Sequence, residues 1–415
     1  MKKLVVLVLT VAMMLTMFAV SASAESNLKV GVILVGDETE GYTLAHMEGI
    51  KAAAAALGMS DDQIQWKYKV AEDSSCYEEA LDLYGKGCTV IFSNSYGHQT
   101  FMAQAAEELP DCTFVAMTGD FAAVSGIANL KNAFTAVYES RYVSGVVAGL
   151  KLKELTENGT LTVETQPESF DENGNIKIGY VGAYDYAEVV SGYTAFYLGI
   201  KSIMPNVVME VNYTNSWFDI DKEGAAAEAL MANGCCIIGQ HADSTGAPAA
   251  VEKKQSDGMI VYSVGYNIDM IETAPHAALT SAGNNWEVYY TYAFQAAMNG
   301  EEIATDWAEG YSEDAVHITP LNDACVAEGT AEYIEGVISA LKDGSLKVFD
   351  TATFTVNGET ISSYEVDLSF MDWSTMTAIY EGEKVECIVD GAFAESTFRS
   401  APYFDIRIDG IVEKK

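Results

Sequence analysis

The chain has 415 residues, nearly half of them apolar and 20% charged. That excludes global disorder and suits two domains plus an extra piece rather than one compact core. Its formal net charge of −37 repels phosphate backbones, which excludes nucleic acid as a partner and disfavours anionic membrane surfaces.

Lys2 and Lys3 precede an apolar run from Leu4 to Val20, and Ala22, Ser23 and Ala24 form an A-x-A cleavage signal before Glu25. The segment 1–24 reads as a secretory signal peptide cleaved after Ala24, not as an uncleaved anchor. Losing Lys2 and Lys3 with it changes the charge from −37 to −39. The first cysteine is Cys76, so no lipid anchor is expected. No other run is long enough to span a bilayer. The mature chain is expected in the periplasm or outside the cell, as a monomer. The cysteines are Cys76, Cys88, Cys112, Cys235, Cys236, Cys325 and Cys387. Their count is odd and they form no C-x-x-C. Several lie inside apolar runs, so they read as buried thiols.

From residue 29 onward, short β-branched runs alternate with helical stretches. "KVGVILV" (29–35), "CTVIFS" (88–93) and "TFVAMT" (113–118) are strands bounded by Gly, Asn or Asp. "LAHMEGIKAAAAALG" is a helix closed by Gly58, and "QTFMAQAAEELP" is one stopped by Pro110. This alternation implies a parallel sheet covered by helices. The second half repeats it. "KVGV" at 29 matches "KIGY" at 177, and "GIK" recurs at 49 and 199. "GCTVIF" at 87 matches "GCCIIG" at 234, and "FVAMTG" at 114 matches "IVYSVG" at 260. Four matches in order imply two similar lobes.

The expected division is 25–150 for the first lobe, completed by segments after about 282, and 151–281 for the second. Residues 282–344 are expected to be crossover segments returning to the lobes, and 345–415 a β-rich extension. The polar stretch 156–175 reads as a linker or surface excursion, and the helix before it as leading from one lobe toward the other. In the extension, "VFDTATFTVNGETISSYEVDL" alternates like a strand around an Asn-Gly turn at 357–358.

In open parallel sheets, ligands bind beyond the carboxyl ends of the strands. Here those ends carry Tyr42 beyond Gly36 and Asp37; Asn94, Ser95 and Tyr96; and Thr118, Gly119 and Asp120. In the second half they carry Tyr184 and Glu188; Trp217, Phe218 and Asp219; His241 and Asp243; Tyr266 and Asn267; and, after a later strand, Asn285 and Trp286. Aromatic faces with polar tips suit a flat heterocycle or a sugar ring, stacked on its faces and hydrogen-bonded at its edges. Stacking of a base on an aromatic ring is worth roughly 1–3 kcal/mol. Glu188 fits the first turn of a helix equally well, and Asp219 fits a helix N-cap. The residues alone leave His241 and Asp243 open between a metal site, a catalytic pair, a binding edge and a solvated turn. His46, His98, His276 and His317 are scattered, so no metal is expected. There is no G-x-S-x-G elbow and no P-loop, so no catalytic residue and no cofactor is expected.

The stretches "EGYTLAHMEGIKAA", "VIFSNSYGH", "YESRYVSGVVAG", "KIGYVGAYDYAEVVSGYTAFYLG", "NSWFDIDKEGAAAEAL", "IIGQHADSTGAP" and "TSAGNNWEVYY" together resemble the basic membrane protein (BMP) family of ABC-transporter substrate-binding proteins. These are also called purine nucleoside receptor A-like proteins, and the match is to the purine-binding, adenine-type subgroup. The resemblance implies an α/β, type I periplasmic-binding fold, with two Rossmann-like lobes of parallel sheets joined by a hinge. It implies a purine base or nucleoside as ligand, handed to a membrane permease driven by an ATPase. It makes Tyr42 and Trp217 the two aromatics that sandwich the purine, and it places Asn94 and Tyr96 in the loop beside the base. Where nucleoside receptors grip ribose with an acidic residue, this chain has Asn267; where they have a lysine before an asparagine, it has Asn284 before Asn285. Both departures fit a free base better. His241 and Asp243 then read as polar contacts to the ligand or its waters. A sugar or autoinducer binder and an exported enzyme are the alternative readings.

Overall fold

The computed structural model describes residues 28–372 and 377–414; the expected signal peptide, 1–24, lies outside them. Five of the six described strands of the first parallel sheet are β1 (Val30–Ile33), β2 (Ile64–Lys67), β3 (Val90–Ser93), β4 (Thr113–Met117) and β5 (Leu130–Ala133). Their spatial order is β2-β1-β3-β4-β5. Helices α1 (Gly41–Ala56), α2 (Ser74–Gly85) and α3 (Gln99–Glu108) make the crossovers. β1, β3 and nearly all of β4 are buried, which is why they read as continuous apolar runs. Gly58 closes the first helix with a φ of +69°, and α3 stops two residues before Pro110.

A second sheet repeats the plan with β6 (Ile176–Gly182), β7 (Val207–Tyr213), β8 (Ile237–Gln240), β9 (Tyr262–Tyr266) and β10 (Ala278–Asn284). Its order is β7-β6-β8-β9-β10. Three of the four sequence matches fall on corresponding strands of the two sheets, and "GIK" falls on corresponding helices. Each sheet therefore has one switch point, between β1 and β3 in one and between β6 and β8 in the other, where a crevice opens at the strand ends.

The chain crosses between the lobes at three places. After β5 it enters α4 (Val137–Glu157), whose Val143, Val146, Val147 and Leu152 lie in the second lobe's core. The change of lobe thus comes at about 134–137, ahead of the helix. Gly145 of α4 and Gly199 of α5 (Ala187–Ile203) let these helices touch, since a Cβ on either would lie within 2.2 Å of a carbonyl oxygen of the other. Helices α6 (Ile220–Ala232) and α7 (Gly246–Ser256) cover the other side of the second sheet. After β10 the chain returns into α8 (Trp286–Asn299), whose Trp286, Tyr290 and Phe294 join the first lobe's core. The third crossing joins β11 (Asp306–Trp307), beside β5, to β12 (Val316–Ile318), antiparallel to β10. Hydrogen bonds tie the crossings together: Thr135 Oγ1 donates to Asn284 Oδ1 (2.5 Å), and the Asn285 amide to the Ala315 carbonyl (2.8 Å).

Helix α9 (Thr330–Lys342) precedes the β-rich C-terminal segment. Asn357 and Gly358 make the turn, both with positive φ, but the long alternation around them yields only short paired pieces. The segment is rooted in the second lobe. Phe349, Phe354, Phe393 and Phe404 enter that core, and the strand Ile411–Lys414 pairs in parallel with β7. Between the lobes' elements, 156–175 holds the turn Pro167–Ser169, fastened by Ser169 Oγ donating to the Gly234 carbonyl (2.7 Å). All seven cysteines are buried free thiols. No described helix is long and apolar enough to cross a membrane.

Candidate ligand-binding site

A cavity with about 540 Å³ of atom-free space, partly open to solvent, lies where the two switch points face each other. The first lobe contributes Val35, Glu40, Tyr42, Asn94, Ser95, Tyr96 and Thr118; the second contributes Glu188, Trp217, His241, Asp243 and Tyr266. Eight residues singled out in the sequence line it together: Tyr42, Asn94, Tyr96, Glu188, Trp217, His241, Asp243 and Tyr266.

Each is held from behind. Tyr42, in the first turn of α1, meets the buried His46 edge-on (4.5 Å between centroids), and His46 stacks on Trp286 (4.2 Å, 19°). Trp286 therefore backs Tyr42 from within the core and does not line the cavity. Asn94 is spent on the wall. Its Oδ1 accepts from the Val35 amide (2.8 Å) and its Nδ2 donates to Thr43 Oγ1 (3.1 Å), whose hydroxyl donates to Glu40. Trp217 is steadied by Tyr184 (5.0 Å, 62°) and Tyr186 (6.1 Å), so Tyr184 supports the ring from outside. Tyr266 lies against the Arg141 guanidinium (3.5 Å), and Arg141 Nη1 donates to the Gln240 carbonyl (2.5 Å).

Burial, reinforced by Arg141, holds the His241 imidazole below its ordinary pKa. It is neutral, and its contact with Glu188 (3.1 Å) makes Nε2 the protonated nitrogen, because a carboxylate only accepts. Asp243 is pushed well above the usual carboxylate range by burial and by the charges of Glu40 and Glu223. Glu40 is pushed up by burial, with Asp37 and Glu72 adding to it. The cavity thus sets buried carboxyl groups, whose raised pKa favours the protonated form that can donate as well as accept, between aromatic faces. No group of three His, Cys, Asp or Glu able to hold a metal ion occurs among the described residues.

Besides Trp286 and Tyr184, four further candidates lie elsewhere. Asp219 caps α6, accepting from the Lys222 amide (3.0 Å), which is the capping alternative. Phe218 precedes it outside the cavity wall. Asn285 donates to the Asp314 carbonyl (2.9 Å). Asn267 sits behind Asp243, donating to its Oδ1 (2.8 Å) and accepting from Asn284 Nδ2 (2.9 Å). It does not line the cavity, and its side-chain amide is engaged with these two partners. Sequence reasoning missed Val35 and Glu40 and did not single out Ser95 and Thr118 among the strand ends. Glu40, a carboxylate just ahead of the first helix at a switch point, carried the signal that would have found it.

A family model described as ABC transporter substrate-binding protein, PnrA-like, matches residues 27–346. A purine-binding protein of Brucella abortus (strain 2308) is 30% identical over 333 residues, 79% of this chain and 85% of that protein. A putative ABC transporter glucose-binding protein of Haloferax volcanii is 30% identical over 264 residues, 63% of this chain and 58% of that one. A solved ABC transporter solute-binding protein from Conexibacter woesei superposes with a TM-score of 0.60 at 18% identity, covering 77% of this chain and 98% of its own. One from Aeropyrum pernix gives 0.61 at 13%, covering 80% and 94%. At these identities the structures establish the shared fold.

Proposed function

The chain belongs to the PnrA-like family of ABC transporter substrate-binding proteins, and on that footing we propose that its cleft binds a purine base or nucleoside for delivery to a membrane permease. Proteins of this family act outside the cytoplasm and present small molecules to ABC permeases. The observation that carries the purine reading is the pairing of Tyr42 from one lobe with Trp217 from the other in one cavity, beside the carboxyl groups of Glu40, Glu188 and Asp243. A planar ring inserted between the two aromatics buries both faces. Its amino and ring nitrogens then meet carboxyl groups, of which Asp243, raised by burial, can donate as well as accept. The purine-binding relative supports the same reading.

Closure of the two lobes would desolvate the ring and set its affinity. We propose export by the signal peptide with cleavage after Ala24, no lipid anchor, and a monomer. Mass spectrometry of the exported chain tests the first two, and light scattering the third. The second reading is a sugar, favoured by the haloarchaeal relative: aromatic faces and carboxylate acceptors also suit a pyranose. Isothermal titration with adenine, guanine, hypoxanthine, their nucleosides and a set of hexoses separates the two.

A further inference from the structure

The family match ends at residue 346, yet the C-terminal segment beyond it reaches the cleft. It is anchored on the second lobe, where Glu413 accepts from the hydroxyls of Tyr193 (2.8 Å) and Tyr213 (2.7 Å) and pairs with Arg407 Nε (2.9 Å). It then touches the first lobe at three points. Arg399 Nη1 pairs with Asp120 Oδ2 (3.1 Å), both side chains nearly buried. The Ser400 amide donates to Asp306 Oδ2 (2.7 Å). Phe370 stacks on Phe121 (4.5 Å, 27°).

The strap so formed roofs a second compartment. Arg399, Ala401 and Pro402 line it from the strap, facing Asp120 and Tyr186. Tyr96, Thr118, Glu188 and Trp217 line both this compartment and the aromatic cavity. The two spaces share one wall, so a ligand filling the first has a direction in which to extend.

We propose that this C-terminal strap completes the ligand site, that the compartment beneath it takes a neutral, hydroxylated substituent of the ligand, and that Arg399 determines this specificity. The proposal rests on the reading that a purine ring fills the aromatic cavity. Hydroxyl groups there can donate to Glu188 and Asp120 and accept from the Arg399 guanidinium. A phosphorylated substituent meets a different field. The Arg399 charge is already matched by Asp120, and Glu188 adds a second carboxylate, so an anion enters a compartment with net negative charge. Nucleosides are admitted and nucleotides refused.

The test is calorimetric titration of the full mature chain with adenine, adenosine and adenosine monophosphate, and the guanine series, in wild type, Arg399→Met and Asp120→Asn. Loss of one charged hydrogen-bond donor should weaken nucleoside binding by about tenfold or more in Arg399→Met while the free base changes by less than about twofold. Asp120→Asn, which leaves Arg399 without its counter-charge, should raise monophosphate affinity by about tenfold. It carries the test alone if the first variant does not fold by circular dichroism. Equal weakening of base and nucleoside in Arg399→Met, or no gain of monophosphate binding in Asp120→Asn, overturns the proposal. A wild-type chain that binds no purine overturns the ring reading on which it rests, before either variant is considered.

Discussion

The amide of Gly41, at the start of the first lobe's leading helix, donates to the carbonyl of Asp243 in the second lobe at 3.2 Å. A Cβ on Gly41 would stand 3.1 Å from that oxygen and 3.4 Å from Ile268. The two lobes meet here, at the rim of the cavity, closely enough that a side chain would press on the Asp243 carbonyl. Gly41→Val should act as a wedge, weakening ligand binding by about tenfold, near 1.4 kcal/mol. The melting temperature without ligand should barely move, since the residue lies at a helix end. Titration calorimetry beside a thermal melt checks this; unchanged affinity would remove the contact from the closing surface.

Asp243 and Asn267 form a unit whose parts can be separated. Asp243→Ala removes a cavity carboxyl and should cost about 1–3 kcal/mol of binding with the fold kept. Asn267 has a φ of +61°, a conformation asparagine tolerates better than most residues. Asn267→Ala should lose both stability and affinity. Asn267→Gly should recover stability while affinity stays low, because the backbone is freed but the amide that orients Asp243 is gone. Affinity restored by glycine would show that the amide does not orient the carboxylate.

The strands, the duplication and the position of the cleft were legible because buried parallel strands read as apolar runs and their ends are marked by polar residues. Tyr42 and Trp217 stood out as aromatics at strand ends, and the family resemblance paired them. What lay beyond reach depends on who faces whom. Nothing in the sequence distinguishes Asn94, consumed by Val35 and Thr43, from an asparagine free to meet a ligand. Trp286 looked like a cavity residue because it follows a strand end, but the crossing into α8 turns it into the first lobe. The strap's approach to Asp120 joins residues 279 positions apart, which no local pattern encodes.

Glu139 is mostly covered where α4 begins, its carboxylate accepting from the Tyr311 amide (2.6 Å), and desolvation pushes its pKa up to about 7. A carboxyl raised above its unfolded value binds its proton more tightly in the native state. Stability therefore falls as pH rises from about 4.5 to about 7 and is level on either side. Glu395, also raised by burial to about 7, acts in the same sense. Glu139→Gln should lessen this pH dependence by roughly 3 kcal/mol. Urea melts at pH 5 and 7.5 measure it, and equal slopes for variant and wild type would contradict it.

Trp217 should contribute through its face. Trp217→Ala should cost about 1–3 kcal/mol of binding for a purine, and Trp217→Phe much less. Ligand addition should change wild-type tryptophan emission in a way the alanine variant does not. A loss no greater than that of an exposed aromatic such as Tyr68 would place the ligand elsewhere.

The central claim is that the cavity between Tyr42 and Trp217 holds a purine. The most direct measurement is the thermal stability of the mature chain, refolded to strip any carried ligand, with purine bases, nucleosides and simple sugars. A true ligand at about 100 times its dissociation constant should stabilise the native state by roughly 2.7 kcal/mol. A clear upward shift with a purine, lost in Trp217→Ala, is the predicted result; a shift with a sugar and none with any purine would contradict it.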